Sequence, residues 1–139
     1  MIQLNRIIMI ALMAVLCAEF TACDDDKIPV TDIFVDNRSD EVIYATYIGI
    51  YEGRYEDIYL DRAMASALDE IMPGETCRVY VLGENDREKR SQIYIFKKST
   101  LRQYSYKEIV ENQIVDFWMP CKYDILKPLD FRIVFENDK

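Results

Sequence analysis

The sequence predicts a mainly β protein, an antiparallel β-sandwich with one short helix. Two observations lead there. From residue 31 onward the chain holds six or seven short runs of Val, Ile, Tyr and Phe, divided by clusters of Asp, Asn, Gly and Pro. One segment, and only one, carries a full helix-start signature, so helices are a minor component.

The elements follow in order. Lys27, Ile28 and Pro29 lead into a strand over residues 31–35, which ends in the turn cluster Asp36, Asn37, Arg38, Ser39 and Asp40 and predicts a hairpin. Residues 42–51 are apolar on both parities: Val42, Tyr44, Ile48 and Ile50 on one, Ile43, Ala45, Tyr47 and Tyr51 on the other. Such a strand is central or displays aromatics outward. In residues 52–61 charges alternate with Tyr55 and Tyr59, and residues 63–68 have helix-forming composition without a capping box, which predicts a loop with a helical turn. Pro73 and Gly74 occupy the central positions of a type II turn, so a strand should run over residues 76–82. Residues 83–88 are polar, and the run 92–96 is expected to fold back on that strand as a hairpin. Ser105 and Glu108 form a capping box, and Tyr106, Ile109, Val110 and Ile114 mark one face of a short helix that should pack on the sheet. Residues 115–119, a break at Pro120, and a strand over residues 131–135 complete the pattern.

The first segment has a different character. Residues 1–6 carry Arg6, residues 7–18 are an apolar run, and small residues precede Cys23, the regions of a secretory signal. The run is shorter than the roughly 20 residues that span a bilayer. Cleavage needs a small side chain before the cut: Ala22 precedes Cys23, whereas Leu16 precedes Cys17. Phe20, Thr21, Ala22 and Cys23 resemble the lipobox of bacterial lipoproteins, with Phe20 where Leu is usual. The expected organisation is a signal over 1–22, a lipidated acidic tether over 23–30 and a single domain over 31–139. Lipid on Cys23 would hold the chain to a membrane, since two or three acyl chains anchor effectively permanently.

The net charge of −8 is unchanged by removing residues 1–22, which hold one Arg and one Glu. That balance argues against nucleic acid as a partner. Arg87, Lys89, Arg90, Lys97, Lys98 and Arg102 make no stripe, because Glu84, Asp86 and Glu88 interrupt them. Cys77 and Cys121 remain for the domain. On strand parity both can point into one core, as a disulfide closing a loop of about 45 residues and contributing about 4 kcal/mol, or as two buried thiols.

No reacting constellation is visible. The chain has no His, which removes Ser/His and Cys/His nucleophiles and makes structural zinc improbable. Paired carboxylates are chemically adequate for glycoside cleavage, but the neighbours Glu56 and Asp57 would face opposite ways on an extended segment. Asp36, Asn37, Asp40 and Glu41 are oxygen donors without the Gly and terminal Glu of a helical-hand calcium loop. The four Gly residues form no phosphate loop, so no cofactor is expected. What stands out is tyrosine: Tyr44, Tyr47, Tyr51, Tyr55 and Tyr59 offer a candidate binding surface for a protein or glycan partner, against the plainer reading that they are sheet and core residues.

The turn at residues 36–40 followed by Val42, Ile43 and Tyr44, then Pro73, Gly74 and Glu75 ahead of a strand, Ile93 to Phe96, a capped helix and a closing aromatic strand together resemble small surface lipoproteins of Bacteroidetes. The resemblance spans nearly all of the chain after Cys23, although Phe131, Arg132, Ile133, Val134 and Phe135 stand where that group commonly has an Asn-Trp strand. It implies an immunoglobulin-like β-sandwich and carries no activity over. In those lipoproteins an acidic run after the lipidated Cys is an export signal, so Asp24, Asp25 and Asp26 imply an outer-membrane address at the cell surface; in enterobacteria an Asp there would instead imply retention at the inner membrane. The expectation is a non-enzymatic binding module, with an envelope-assembly subunit that pairs through edge strands, or a glycan-binding accessory lipoprotein, as alternatives.

Overall fold

Among the described residues seven strands form two sheets. A computed structural model describes residues 30–50, 53–54, 56–83 and 90–137. The signal 1–22, Cys23 and Asp24, Asp25 and Asp26 lie outside the described residues, as do Tyr51 and Tyr55. The first sheet has the order β4-β1-β7, built from β1 (Thr31–Asn37), β4 (Thr76–Leu82) and β7 (Arg132–Phe135). The second has the order β3-β2-β5-β6, built from β2 (Ile43–Ile50), β3 (Asp69–Ile71), β5 (Arg90–Lys97) and β6 (Phe117–Pro120). Every pair is antiparallel except β1 with β7, which run parallel. The antiparallel-rich sandwich predicted from the strand pattern is therefore present, with one parallel joint.

Residue parity explains the sandwich. Ile33 and Val35 of β1 and Ile133 and Phe135 of β7 point inward, where they meet Ile43 and Ala45 of β2 and Ile93 and Ile95 of β5. The other faces of β2, β5 and β6 are also apolar, because Ile48, Tyr94, Phe96 and Trp118 build a second cluster beneath helices. Those helices are α1 (Leu60–Ala65), α2 (Lys98–Gln103) and α3 (Tyr106–Glu111), which bring Leu60, Ala63, Leu101 and Ile109 down onto the sheet. The two-sided apolarity of residues 42–51 marks this central position between two cores. A last short helix, α4 (Tyr123–Leu126), and a 3₁₀ turn over Lys127–Leu129 lead into β7. Among the described residues no helix is long and apolar enough to cross a membrane.

Local signals hold closely. Gly74 has φ +79° and the Glu75 amide donates to the Met72 carbonyl at 3.0 Å, closing the turn before β4. Ser105 and Glu108 form the reciprocal capping box of α3. Ile109, Val110 and Ile114 pack on the second sheet as expected, but Tyr106 is half exposed.

Long-range pairing differs. Neither expected hairpin forms, because the turn at residues 36–40 and the loop after β4 each carry the chain from one sheet to the other. In a sandwich such crossings let successive apolar strands cover each other across the core. The register between β1 and β4 skips Val79, and this bulge reverses the parity of β4. Cys77 keeps its inward place, while Val81, which unbroken alternation from Cys77 would turn inward, faces solvent at 39% exposure.

The helix content also exceeds the expected single helix. α2 caps itself with no side chain of its own; instead Glu41 accepts from the Ser99 amide and hydroxyl, both at 3.0 Å, and Asp116 accepts from the Lys97 amide at 2.7 Å and the Thr100 hydroxyl at 3.0 Å. Carboxylates 58 and 16 residues from their partners supply what a local capping box would.

The two domain thiols are free. Both touch the inner core, yet β4 is an edge of the first sheet and packs opposite β2 and β3, whereas Cys121 follows β6 at the far edge of the second. At about 4.8 Å per strand and about 10 Å between sheets, that separation exceeds the roughly 7 Å between Cα atoms that a disulfide spans.

Candidate functional site

The tyrosine row does not assemble into one surface. Tyr44 sits on the outer face of β2 with its hydroxyl 2.6 Å from Glu70, a hydrogen bond that raises its pKa. Tyr47, on the opposite parity, turns into the sandwich, where its ring stacks on Tyr80 with centroids 3.7 Å apart and its hydroxyl bonds Ser91. Tyr59 lies half-buried against the helical layer, donating its hydroxyl to the Arg54 carbonyl at 2.9 Å and its amide to the Tyr94 hydroxyl at 2.8 Å. Trp118 also joins that layer beside Tyr94.

The oxygen donors of the first turn are likewise structural. Asn37 is almost fully buried: its amide donates to the carbonyls of Glu41 at 2.8 Å and Ile71 at 2.9 Å, and its carbonyl accepts from the amide and hydroxyl of Ser39. Asp36 accepts from Thr76 and Arg132, each at 2.6 Å. Glu41 is engaged by Ser99. Among the described residues no group of three or more Cys, Asp or Glu side chains is placed to hold a metal ion.

The feature that composition did not mark is the edge of β7. The run Phe131 to Phe135 alternates, so Ile133 and Phe135 enter the core while Arg132 and Val134 face outward, Val134 at 38% exposure. The amides of Phe34 and Arg38 donate to the carbonyls of Phe131 at 3.0 Å and Phe135 at 2.8 Å, so the odd-numbered residues spend their backbone groups on β1. By the alternation of a strand, the amides and carbonyls of Arg132, Val134 and Glu136 point away from β1. Among the described residues no strand lies on that side.

Beside this edge an open cleft of about 650 Å³ separates the two sheets, lined by Arg38, Asp116, Phe117, Val134, Phe135, Glu136 and Asn137. Phe117 and Phe135 line it, their rings meeting edge to face at 6.5 Å. Its rim is charged, with Arg38 3.6 Å from Glu136. Asp116 and Glu136 are two carboxylates on one cleft, the arrangement a glycoside hydrolase would require. Asp116, however, already accepts on both oxygens from the start of α2, and Glu136 is paired with Arg38. What the cleft leaves available is backbone: a row of outward amides and carbonyls beside the Phe117 and Phe135 rings, an edge of the kind to which an extended polypeptide can add. The sequence signal was the alternation of residues 131–135; which side of that strand would stay unpaired depended on topology.

No protein-family model matches the chain, and neither a curated protein nor a solved structure matches it.

Proposed function

We propose that the chain is a lipid-anchored cell-envelope protein of the outer membrane, displayed at the cell surface, whose domain is a non-enzymatic interaction module that takes an extended polypeptide strand along β7. The signal, Cys23 and the acidic run Asp24, Asp25 and Asp26 support the address. The observation that carries the binding reading is the free edge of β7 beside the cleft. The immunoglobulin-like form of the sandwich, implied by the resemblance to Bacteroidetes surface lipoproteins, belongs to the same proposal. A first strand shared between antiparallel β4 and parallel β7 supports it.

A glycan reading draws less support, since Tyr47 is committed to the core and Tyr44 faces the other way. Proteolytic shaving of intact cells checks the address: the domain should be digested, and its protection would exclude the surface. A photo-cross-linker at Glu136, beside Val134 on the cleft, should capture a partner in the envelope. Val134→Pro removes one outward amide without touching a bond to β1, so it should abolish capture while the unfolding midpoint stays near that of the parent chain. Capture that survives the proline would place the binding surface elsewhere.

A further inference from the structure

We infer that the strand taken up by β7 is the β7 of a second copy of the chain, paired antiparallel about Val134. The inference rests on the edge reading above and names its partner. The outward-facing residues read Arg132, Val134, Glu136: positive, apolar, negative. Reversed, that order is its own complement. Antiparallel pairing centred on Val134 sets Arg132 of each copy opposite Glu136 of the other and Val134 opposite Val134, with all six outward backbone groups of one strand meeting those of its mate. A parallel alignment would put Arg132 against Arg132, and a shift of two residues would lose both charge pairs.

The neighbouring charges extend the match. Within one copy Arg132 bonds Asp36 at 2.6 Å and Glu136 lies 3.6 Å from Arg38. Across the joint the row becomes Asp36, Arg132, then Glu136 and Arg38 of the second copy, alternating in sign throughout. The two three-stranded sheets would merge into one of six strands.

The other edges are protected against such pairing. β4 is bent by the bulge at Val79, β6 ends in Pro120 and β3 has three residues. β7 has neither bulge nor proline. Its inward residues Ile133 and Phe135 are already buried, so little apolar area is added and the joint is weak in free solution. Anchoring both copies in one membrane raises their effective concentration and favours it.

The test uses the full lipidated chain in intact cells carrying Val134→Cys, oxidised and resolved without reductant, with the parent chain as the blank for Cys77 and Cys121. The expected result is a disulfide-linked species of twice the mass. Adding Glu136→Lys should lower its yield about tenfold, since two opposite-charge pairs become two like-charge pairs. Val81→Cys, on the bulged β4 edge, should cross-link no more than the blank, and unchanged resistance to limited proteolysis shows that each variant folds. A species linked through residue 134 to a different protein overturns the self-pairing and leaves the edge reading standing. Absence of any adduct, or equal dimer from Val81→Cys, overturns both.

Discussion

Asn37 shows how much one side chain can decide. Nearly fully buried, it ties the carbonyls of Glu41 and Ile71 to the amide and hydroxyl of Ser39 and so fixes the crossing between the two sheets. Asn37→Asp would put an oxygen against two buried carbonyls and should cost about 3 kcal/mol in urea unfolding. Composition announced a turn here; only the fold reveals that the turn residue is interior. Gly53 is a second such point. Its φ is +98°, and a Cβ there would collide with the Tyr59 hydroxyl, so Gly53→Ala should destabilise by about 1–3 kcal/mol. At Cys121 burial pushes the thiol pKa up to about 12. Being neutral and enclosed, it should resist alkylation at pH 8 in the native state and react only at the rate of unfolding. Prompt labelling of Cys121 would show that its surroundings open to water.

At the scale of elements, what could be read from sequence was what is local. The Ser105 and Glu108 box, the Pro73 and Gly74 turn with the strand that follows it, and the alternation of residues 131–135 each involve neighbours in the chain, and each element formed where expected, although the bulge at Val79 broke the alternation within residues 76–82. α2 was not legible because its caps, Glu41 and Asp116, come from other elements. Asp116→Ala should therefore cost about 1–2 kcal/mol, although nothing next to it in sequence is helical. The hairpins failed for the same reason: strand partners are chosen across the core, and residues 42–51 and 92–96 are too evenly apolar to indicate a side. α3 allows a pH test. The Ser105 amide and hydroxyl hold Glu108 below the usual carboxylate pKa. Its contribution is then full above the unfolded value of about 4.3 and disappears as pH falls through the lower folded value. The stability gap between the parent and Glu108→Gln should be open at pH 7 and narrow steadily below pH 4. A gap independent of pH would separate the box from the carboxylate's charge.

For the whole molecule, the two sheets and the helical layer determine which surfaces remain for function. Helices occupy the outer side of the second sheet, and bulge, proline or brevity guard three edges, which leaves β7 with its cleft. The tyrosines drew attention in the sequence because they are numerous, yet the fold spends Tyr47 and Tyr94 on packing. The edge went unmarked because an unpaired backbone has no composition. Amide hydrogen exchange resolved along β7, on the lipidated chain in membranes and again when diluted in detergent, measures that edge directly. Ile133 and Phe135, bonded to β1, should exchange slowly in both; Val134 should be slow in membranes and at least about tenfold faster on dilution, when its partner strand leaves. Fast exchange at Val134 under both conditions, with Ile133 and Phe135 still protected, would contradict the assignment of β7 as the interaction edge.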